Sequence, residues 1–431
     1  MISVWNNQAL LPAFPKLEGN LKTEVLIIGG GMSGILCAHF LHQAGIDYVL
    51  AESRTICSGV TKNTTAKITV QHGLIYDKIL RKKGAEKSGK YLAVNQKALE
   101  TYADLCRYKD CDFERRDSFV YSLSNRKKLE QEVTALQKIG GLADFIEQTE
   151  LPFKITGAVK LPNQAQFHPL KFVSAISQGL HIYEHTHILE VRGHTAIAEN
   201  GTITAGKIIV STHFPFINRY GGYFIKQYQH RSYVMAWKHA QALNGMYVDE
   251  AETGMSFRSY KNMLLIGGGD HRTGKKGGCY QELETFVQRY YPDAAEQYRW
   301  AAQDCMTLDG IPYIGLYSKS TPDLYVSTGF NKWGMTSSMV SAMLLSDRII
   351  GRSNDFSELF SPSRSVLTPQ LPANLYEAVL GMLTPTVRRC PHLGCALRWN
   401  SVEHSWDCSC HGSRFDSDGI WLDNPATRNL R

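Results

Sequence analysis

The residues with the clearest chemistry lie near the C-terminal end, in the stretch CPHLGCALRWNSVEHSWDCSCHGSRFD. This stretch holds four of the ten cysteines of the chain and three histidines. Its ordered pattern is Cys390-x-His392 followed by Cys408-x-x-His411, so each of two short segments offers one thiolate and one imidazole. Such soft ligands indicate a metal centre. In a protein that we expect in the cytoplasm, clustered cysteines favour metal or redox chemistry over a disulfide framework.

Zinc and an iron–sulfur cluster compete for this stretch. Cys2His2 zinc sites usually draw paired cysteines from one loop and paired histidines from a helix, whereas cysteine and histidine are mixed within each segment here. This mixed arrangement supplies the ligands of a [2Fe-2S] cluster in which two thiolates hold one iron and two imidazoles hold the other. The pattern therefore favours the iron–sulfur cluster.

A second motif lies near the start of the chain, in EVLIIGGGMSGILCAHFLHQAGIDYVLAE. A strand-like run at 25–28 leads into Gly29-x-Gly31-x-x-Gly34, a helix-like stretch to about residue 43 and a second strand at 48–51. In this context the first glycine permits a tight turn, the second lets the backbone approach a pyrophosphate, and the third allows close helix–strand packing. The order predicts a dinucleotide-binding βαβ unit.

The motif is found in both NAD and FAD sites, so it does not identify the dinucleotide. Glu52 lies where a carboxylate accepts hydrogen bonds from the adenosine ribose, and the helix N-terminus favours the pyrophosphate. A second glycine-rich stretch at 264–278, LLIGGGDHRTGKKGG, lacks the third glycine at the right offset and a helical continuation. We therefore expect one dinucleotide site, with reducing equivalents from an organic substrate rather than NADH.

The bulk composition fits a globular protein of two or three domains. The 431 residues are 43% hydrophobic and 20% charged, with a net charge of 47 − 40 = +7. The basic clusters at 81–83 and 126–128 are short and lack interleaved aromatic residues, so we expect no nucleic-acid partner. The start shows no signal-peptide pattern, and glycines interrupt the most apolar window, 25–41, so no membrane span is expected.

Several further motifs resemble one family of flavoenzymes. IIGGGMSG, DGIPYIG at 309–315 and STGFNKWGMTSSMVSAMLLSDRI at 327–349 resemble the FAD-dependent oxidoreductases typified by D-amino-acid and glycine oxidases, the DAO family. TTAKITVQHG at 64–73 resembles a subgroup with a C-terminal Rieske domain. The resemblance implies FAD, two lobes and oxidation at a carbon that bears nitrogen. The residues expected at FAD are Gly29, Gly31, Met32, Ser33, Gly34, Glu52, Ser53, Thr65, Ala66, Gly310, Gly329, Phe330, Gly334, Met335 and Thr336.

The cysteine–histidine stretch resembles the Rieske signature, because CPHLGC and CSCHGS are both present. The resemblance implies that Cys390 and Cys408 hold one iron and that His392 and His411 hold the other. It also implies a disulfide that links the two loops. The residues of this expected disulfide are Cys395 and Cys410.

Two features depart from the usual Rieske pattern. Residues 367–389 look partly helical where a strand-rich base is usual, so the domain is abbreviated and we expect the cluster to rely on the flavin domain for cover. Phe415 stands where many high-potential Rieske proteins have a tyrosine, although Ser413 is retained. Because phenylalanine cannot donate a hydrogen bond to a cysteine sulfur, we expect the cluster to have a lower reduction potential.

These observations predict an α/β (α+β) fold in three parts. A Rossmann-like FAD-binding domain with an inserted mixed-sheet substrate domain is expected over 1–366, then a linker over 367–389 and a small all-β Rieske module over 390–431. The FAD-binding lobe is predicted at about 20–83, 155–215 and 300–352. The substrate lobe is predicted at about 84–154 and 216–299. Helices are expected over 84–107 and 126–139, and a hairpin at Asn200-Gly201.

The catalytic residues are the least determined part of the prediction. In this family the flavin performs the chemistry, while the protein orients the substrate and excludes water. Arg231 and Arg258 are favoured if the substrate carries a carboxylate, because a guanidinium pairs with it bidentately. The full set of candidates is Arg231, Arg258, His72, Lys332, Tyr233 and His271.

We therefore expect an FAD-dependent oxidoreductase that oxidises an amine, an N-methyl amine or an amino acid. Electrons would pass from the flavin through the Rieske cluster to a one-electron acceptor protein or a quinone. Two alternatives stay open: an NAD(P)H-driven flavin and Rieske reductase, and a non-enzymatic redox-sensing cluster protein. A Rieske oxygenase is disfavoured because the sequence offers no convincing two-His-one-carboxylate iron site.

Overall fold

The computed structural model of the chain describes residues 2–6 and 8–430 and contains three β-sheets with α-helices packed against them. The α-helices are α1 Met32–Gln43, α2 Ile75–Cys106, α3 Arg126–Lys138, α4 Pro169–Ile176, α5 Tyr223–Lys226, α6 Cys279–Tyr290, α7 Gly334–Ile349 and α8 Gln370–Leu383. The strands are β1 Gly19–Ile28, β2 Tyr48–Ala51, β3 Lys67–Ile68, β4 Glu114–Ser122, β5 Asp144–Ile146, β6 Gly157–Gln166, β7 Ile182–Tyr183, β8 Ile188–Arg192, β9 Thr195–Ala198, β10 Gly201–Val210, β11 Gln227–Lys238, β12 Met246–Asp249, β13 Ser256–Tyr260, β14 Met263–Arg272, β15 Ala295–Thr307, β16 Tyr313–Leu316, β17 Leu324–Thr328, β18 Leu397–Asn400, β19 Ser405–Cys408, β20 Arg414–Asp416 and β21 Trp421–Asp423.

The first sheet has eight strands and forms the nucleotide-binding layer. Its main order is β16-β17-β10-β1-β2-β7, and β1 runs parallel to both β2 and β10. The central strands are apolar runs such as YVLA in β2, which is buried throughout, as expected of parallel strands covered on both faces. Helices α1 and α7 pack on this sheet and on each other. This is the predicted Rossmann-like βαβ arrangement.

The second sheet has nine strands in the order β15-β11-β14-β13-β12-β4-β6-β3, with β5 beside β6. Most of its pairs are antiparallel, but β4 and β12 are parallel, so the predicted mixed sheet is confirmed. The predicted lobe boundaries differ from this topology, because β6 and β15 pair within the second sheet although 155–166 and 300–307 were assigned to the FAD-binding lobe. Local alternation predicts a strand but not its partner, which is chosen by tertiary packing.

The third sheet is a small antiparallel meander, β18-β19-β20-β21, and it forms the predicted all-β C-terminal module. Helix α8 precedes it and covers its cysteines. A Cβ at Gly381 would lie 2.3 Å from the sulfur of Cys410, and the N–H of Ala396 donates to the carbonyl of Gly381 at 2.8 Å. The segment 367–389, expected as a linker, contains α8, which packs directly on the cysteine loops.

The three sheets meet around one cavity. Its walls include the carboxyl ends of β1 and β2 and the inner faces of β11, β14 and β15. The C-terminal module supplies a further wall through β21. Within the described residues, no helix is long and apolar enough to cross a membrane.

Candidate functional site: a flavin cavity beside a cysteine–histidine cluster

The turn after β1 is closed by glycines that touch backbone. Gly29 has a φ of +108°, and a Cβ at Gly34 would lie 1.9 Å from the carbonyl oxygen of Gly29. Neither position accommodates a side chain without movement of the backbone. At the end of β2, Glu52 accepts a hydrogen bond from the N–H of Gly30 at 2.7 Å. The helix N-terminus and the carboxylate thus border one space, which fits the pyrophosphate and ribose of a dinucleotide.

The cavity that opens at this turn has a volume of about 460 Å³. This volume falls within the ~300–1,000 Å³ typical of cofactor and ligand sites. The residues expected at FAD that line it are Gly29, Gly31, Met32, Ser33, Glu52, Ser53, Thr65, Phe330, Gly334 and Met335.

The remaining residues expected at FAD lie behind the lining, namely Gly34, Ala66, Gly310, Gly329 and Thr336. The hydroxyl of Thr336 donates to the carbonyl of Thr69 at 3.1 Å. A Cβ at Gly329 would lie 2.3 Å from the side chain of Thr307. These residues shape the wall instead of facing the cavity.

His72 is held in place by hydrogen bonds and ring stacking. Its Nε2 lies 2.9 Å from the carbonyl oxygen of Thr69, its Nδ1 lies 2.7 Å from the hydroxyl of Tyr91, and its ring stacks on Trp333. Burial lowers the pKa of His72 to about 3, so the ring is neutral. His72 does not line the cavity, and a catalytic role for it stays a prediction.

The two arginines favoured for a substrate carboxylate are both engaged elsewhere. Arg258 is buried and donates through Nη1 to the carbonyl oxygens of Thr65 and Ala66 at 2.6 and 3.0 Å, so it fixes the loop before β3. Arg231 is buried and forms a two-point ion pair with Glu403 of the C-terminal module. Neither guanidinium lines the cavity, and substrate binding by these arginines stays a prediction.

Lys332 does line the cavity, and so does Tyr233. Lys332 forms an ion pair with Asp270. Burial alone would lower the pKa of Lys332, but Asp270 and Asp304 outweigh that effect and raise it, so the amine is charged. The hydroxyl of Tyr233 lies 2.9 Å from Nε2 of His271, which lies outside the lining.

Sequence reasoning missed several residues of the lining. Lys67 on β3, Asp270 on β14 and Asp304 on β15 all face the cavity. Burial lowers the pKa of Lys67 to about 7, with a further contribution from Arg258. Lys67 stood within the quoted stretch TTAKITVQHG, whereas no local motif marked the two aspartates.

The glycine-rich stretch after residue 263 is not a second dinucleotide turn. Gly267 and Gly268 lie inside β14, where they pair with β11 and line the cavity. A helix does follow, because α6 begins at Cys279, contrary to the expectation of no helical continuation. The glycines nevertheless belong to an antiparallel strand, so this segment does not form a βαβ phosphate site.

The C-terminal module contributes its own wall to the cavity through Trp421, Leu422, Asp423, Asn424 and Thr427. The Trp421 ring stacks on His187 with centroids 4.7 Å apart and planes at 10°. Arg54 donates to the carbonyl of Leu422 at 3.1 Å. Because Arg54 lies two residues after Glu52, this wall covers the end of the cavity expected to hold adenosine.

The four predicted cluster ligands come together, with Cys390, Cys408 and His411 buried and His392 partly so. The imidazole rings of His392 and His411 have centroids 4.9 Å apart. Nδ1 of each of these rings is buried and lacks a hydrogen-bond partner within the described part of the chain. Nε2 of His392 lies 2.7 Å from Oδ1 of Asn218. Two unpartnered imidazole nitrogens beside two thiols fit the ligand set of a Rieske [2Fe-2S] cluster.

The predicted disulfide pair also lies at the cluster site. Cys395 and Cys410 are free thiols in this structure, and their sulfurs and that of Cys408 all lie within 4.8 Å of one another. The disulfide therefore stays a prediction. Ser413 is fully buried and accepts from the N–H of Ala426 at 3.0 Å, while Phe415 lies in the small core of the module.

The cluster loops rest on the flavin domain, as expected from the short approach to Cys390. Gln229 of β11 donates to the carbonyl of His411 at 2.9 Å, and Gln303 of β15 donates to the carbonyl of Gly412 at 2.9 Å. A Cβ at Gly412 would lie 2.7 Å from the Gln229 side chain. The loop with Cys408 and His411 is therefore held by the second sheet.

A buried charge network ties the same two domains together. Glu403 accepts from Arg231 at 2.9 Å and from Arg414 at 2.9 Å, and it also accepts from the hydroxyl of Tyr233 at 3.2 Å. Burial alone would raise the pKa of Glu403, but Arg231 and Arg414 outweigh it and lower the pKa to about 2. Glu403 is thus ionised at neutral pH and fixes the C-terminal module in place.

Comparisons with solved structures agree with this architecture. Glycine oxidase from Geobacillus kaustophilus superposes with a TM-score of 0.68 at 18% identity, over 80% of this chain and 99% of that chain. L-proline dehydrogenase from P. horikoshii superposes with a TM-score of 0.67 at 16% identity, over 81% of this chain and 98% of that one. At such low sequence identity, these two similarities show the fold alone.

Sequence comparison covers the whole chain. YhfW of Bacillus subtilis (strain 168), named as a Rieske 2Fe-2S iron-sulfur protein, is 32% identical over 490 aligned positions, covering 99% of this chain and 96% of that protein. The model of the FAD dependent oxidoreductase family, DAO, matches residues 24–348, and the Rieske [2Fe-2S] domain model matches residues 364–431. The chain therefore belongs to the DAO family of FAD-dependent oxidoreductases and carries a C-terminal Rieske [2Fe-2S] domain.

Proposed function

We propose that this protein oxidises the C–N bond of an amine, an N-methyl amine or an amino acid, and that the electrons leave through the Rieske cluster to a one-electron acceptor protein or a quinone. The names of the similar folds, glycine oxidase and L-proline dehydrogenase, support nitrogen-bearing substrates. The position of the cluster beside the flavin cavity supports the electron route.

The observation that carries the proposal is the alternation of side chains along β15. Ala302, Asp304 and Met306 line the cavity, while Gln303 between them donates to the carbonyl of Gly412 in the cluster loop. Successive residues of a strand point to opposite faces. One strand therefore separates the cavity from the loop that carries His411.

The chain contributes positioning and exclusion of water. When bound, FAD supplies a two-electron acceptor and the [2Fe-2S] cluster a one-electron carrier. The substrate loses two electrons and two protons, and water hydrolyses the resulting imine to a carbonyl compound and either ammonia, from a primary amine or an amino acid, or an amine, from an N-methyl amine. The second sheet covers the cavity, and Gln229 and Gln303 hold the cluster loop at its outer surface. Two electrons per substrate require two equivalents of a one-electron acceptor.

A substrate screen with purified holoenzyme under anaerobic conditions tests the proposal. We expect at least one amine or amino acid to bleach the visible absorption of the flavin, with NADH as the comparison compound. Bleaching by NADH alone would instead support the reductase alternative and contradict the proposed substrate class. If no compound bleaches the flavin, the result would favour the non-enzymatic alternative.

A further inference from the structure

Three charged side chains lie together in the cavity beside β14 and β15, and two of them are acidic. Asp270 lies on β14, Asp304 lies on β15, and Lys332 lies in the turn before α7. Lys332 forms an ion pair with Oδ2 of Asp270, while Oδ2 of Asp304 accepts from the hydroxyl of Ser232 at 3.0 Å. Lys332 is therefore paired with Asp270, and Asp304 attracts its ammonium group without a direct ion pair.

Asp270 has an oxygen that the protein leaves unused. Its side chain is only 9% exposed, and Oδ1 is buried without a hydrogen-bond partner among the residues that the structure describes. A buried carboxylate oxygen without a donor is unfavourable by itself. Because Asp270 lines the cavity, a ligand in the cavity can supply that donor.

The local charge also favours a cation. Burial raises the pKa of Asp304, and Lys332 opposes this effect. When Asp304 is ionised, Asp270, Asp304 and Lys332 carry a net charge of −1, which in a buried site calls for a compensating positive group. Asp249 and Glu252 add two more carboxylates to the lining. A positively charged ligand would therefore complete this end of the cavity.

A carboxylate ligand would find no matching guanidinium here. Arg231 and Arg258 lie outside the lining, where they hold Glu403 and the loop before β3. Arg54 does line the cavity, but it lies at the opposite end, where it donates to the carbonyl of Leu422. Lys67 is the other lysine that lines the cavity besides Lys332, and burial lowers its pKa to about 7.

We propose that the cavity selects substrates that are cationic amines without a carboxylate beside the nitrogen, and that Asp270 and Asp304 bind the ammonium group. This inference rests on the proposed oxidation of a C–N bond and narrows it to primary and secondary amines. The ammonium N–H groups would donate to Oδ1 of Asp270, and the positive charge would balance the carboxylate that Lys332 leaves unpaired.

A matched pair of small probes tests the inference, namely butylamine and its carboxylated counterpart 2-aminopentanoate. Each is mixed rapidly and anaerobically with the holoenzyme. The immediate perturbation of the flavin spectrum gives the dissociation constant, and the slower bleaching reports oxidation separately. We expect butylamine to bind at least about tenfold more tightly than 2-aminopentanoate. In Asp270→Asn, the binding of butylamine should weaken by about tenfold or more, since the oxygen that accepts from the ammonium group no longer carries a negative charge.

Asp293→Asn serves as the control, because it removes the same charge at an exposed position outside the cavity, and it should leave both constants unchanged. If Asp270→Asn fails to retain FAD, Asp304→Asn removes the same excess charge and should show the same loss. Equal or tighter binding of 2-aminopentanoate, or no effect of either cavity variant, would overturn the inference. If butylamine binds through Asp270 but nothing in the substrate screen bleaches the flavin, the proposed function fails and the charge preference stands.

Discussion

The interdomain ion pair between Glu403 and Arg231 allows a quantitative test of how the Rieske domain is held. We consider Glu403→Gln, which keeps the size of the side chain and removes its charge. The carboxylate is 7% exposed and its partner guanidinium 3% exposed, so the variant leaves Arg231 buried without a counter-charge. Breaking a buried ion pair from one side costs about 3–5 kcal/mol.

The pKa of Glu403 gives an independent magnitude. Its lowering from 4.5 to about 2 corresponds to about 3 kcal/mol of stabilisation by the ionised form. Because the pKa is lowered on folding, this stabilisation is present above pH ~4.5 and is lost as the pH falls through ~2. The difference in unfolding free energy between wild type and Glu403→Gln should therefore be about 3 kcal/mol at pH 7 and should shrink below pH ~4.5.

Denaturant unfolding, followed separately through the visible circular dichroism of the cluster and through flavin fluorescence, measures this difference. Glu296→Gln is the matched control, because Glu296 pairs with the partly exposed Arg299 and such pairs contribute ~0–1 kcal/mol. A loss in Glu403→Gln no larger than in Glu296→Gln would refute the reasoning that this buried pair holds the domain.

Three further predictions concern the two cofactor sites. Cys408→Ser should abolish iron binding and the visible bands of the cluster while FAD is retained, and an unchanged iron content by elemental analysis would contradict the ligand assignment. Phe415→Tyr should raise the midpoint potential of the cluster in a redox titration, because it adds a hydroxyl that can donate to a cysteine sulfur; a wild-type midpoint near the top of the Rieske range would argue against the lowered potential. Trp421→Ala should raise the dissociation constant for FAD several-fold, measured by fluorescence of released flavin on dialysis, whereas tight retention would show that the Trp421 wall does not support the adenosine end.

Local motifs predicted the parts of the site whose residues are close in the sequence. The cluster ligands occupy a single stretch of 22 positions from Cys390 to His411, and the βαβ turn occupies one segment. The spacing of these residues was therefore enough to predict both sites. The glycines of that turn follow from steric limits that act within a few residues.

The contacts that span long separations could not be predicted in this way. Arg231 meets Glu403 across 172 positions, and Arg258 meets Thr65 across 193, so their guanidinium groups looked free in the sequence. The strand partners of β6 and β15, which moved the lobe boundaries, are likewise set by tertiary packing. No sequence motif predicted the cavity wall around Trp421, because its stacking contact with His187 depends on how two domains dock.

The central claim, that electrons from the substrate leave through the Rieske cluster, is tested most directly by single-turnover mixing of oxidised holoenzyme with a substrate amine. Electron paramagnetic resonance of frozen samples follows the reduced cluster while an oxygen-containing parallel sample is assayed for peroxide. We predict that the reduced-cluster signal grows as the flavin bleaches, and that two equivalents of an added one-electron acceptor are consumed per substrate. Stoichiometric peroxide with a cluster that stays oxidised would contradict the account.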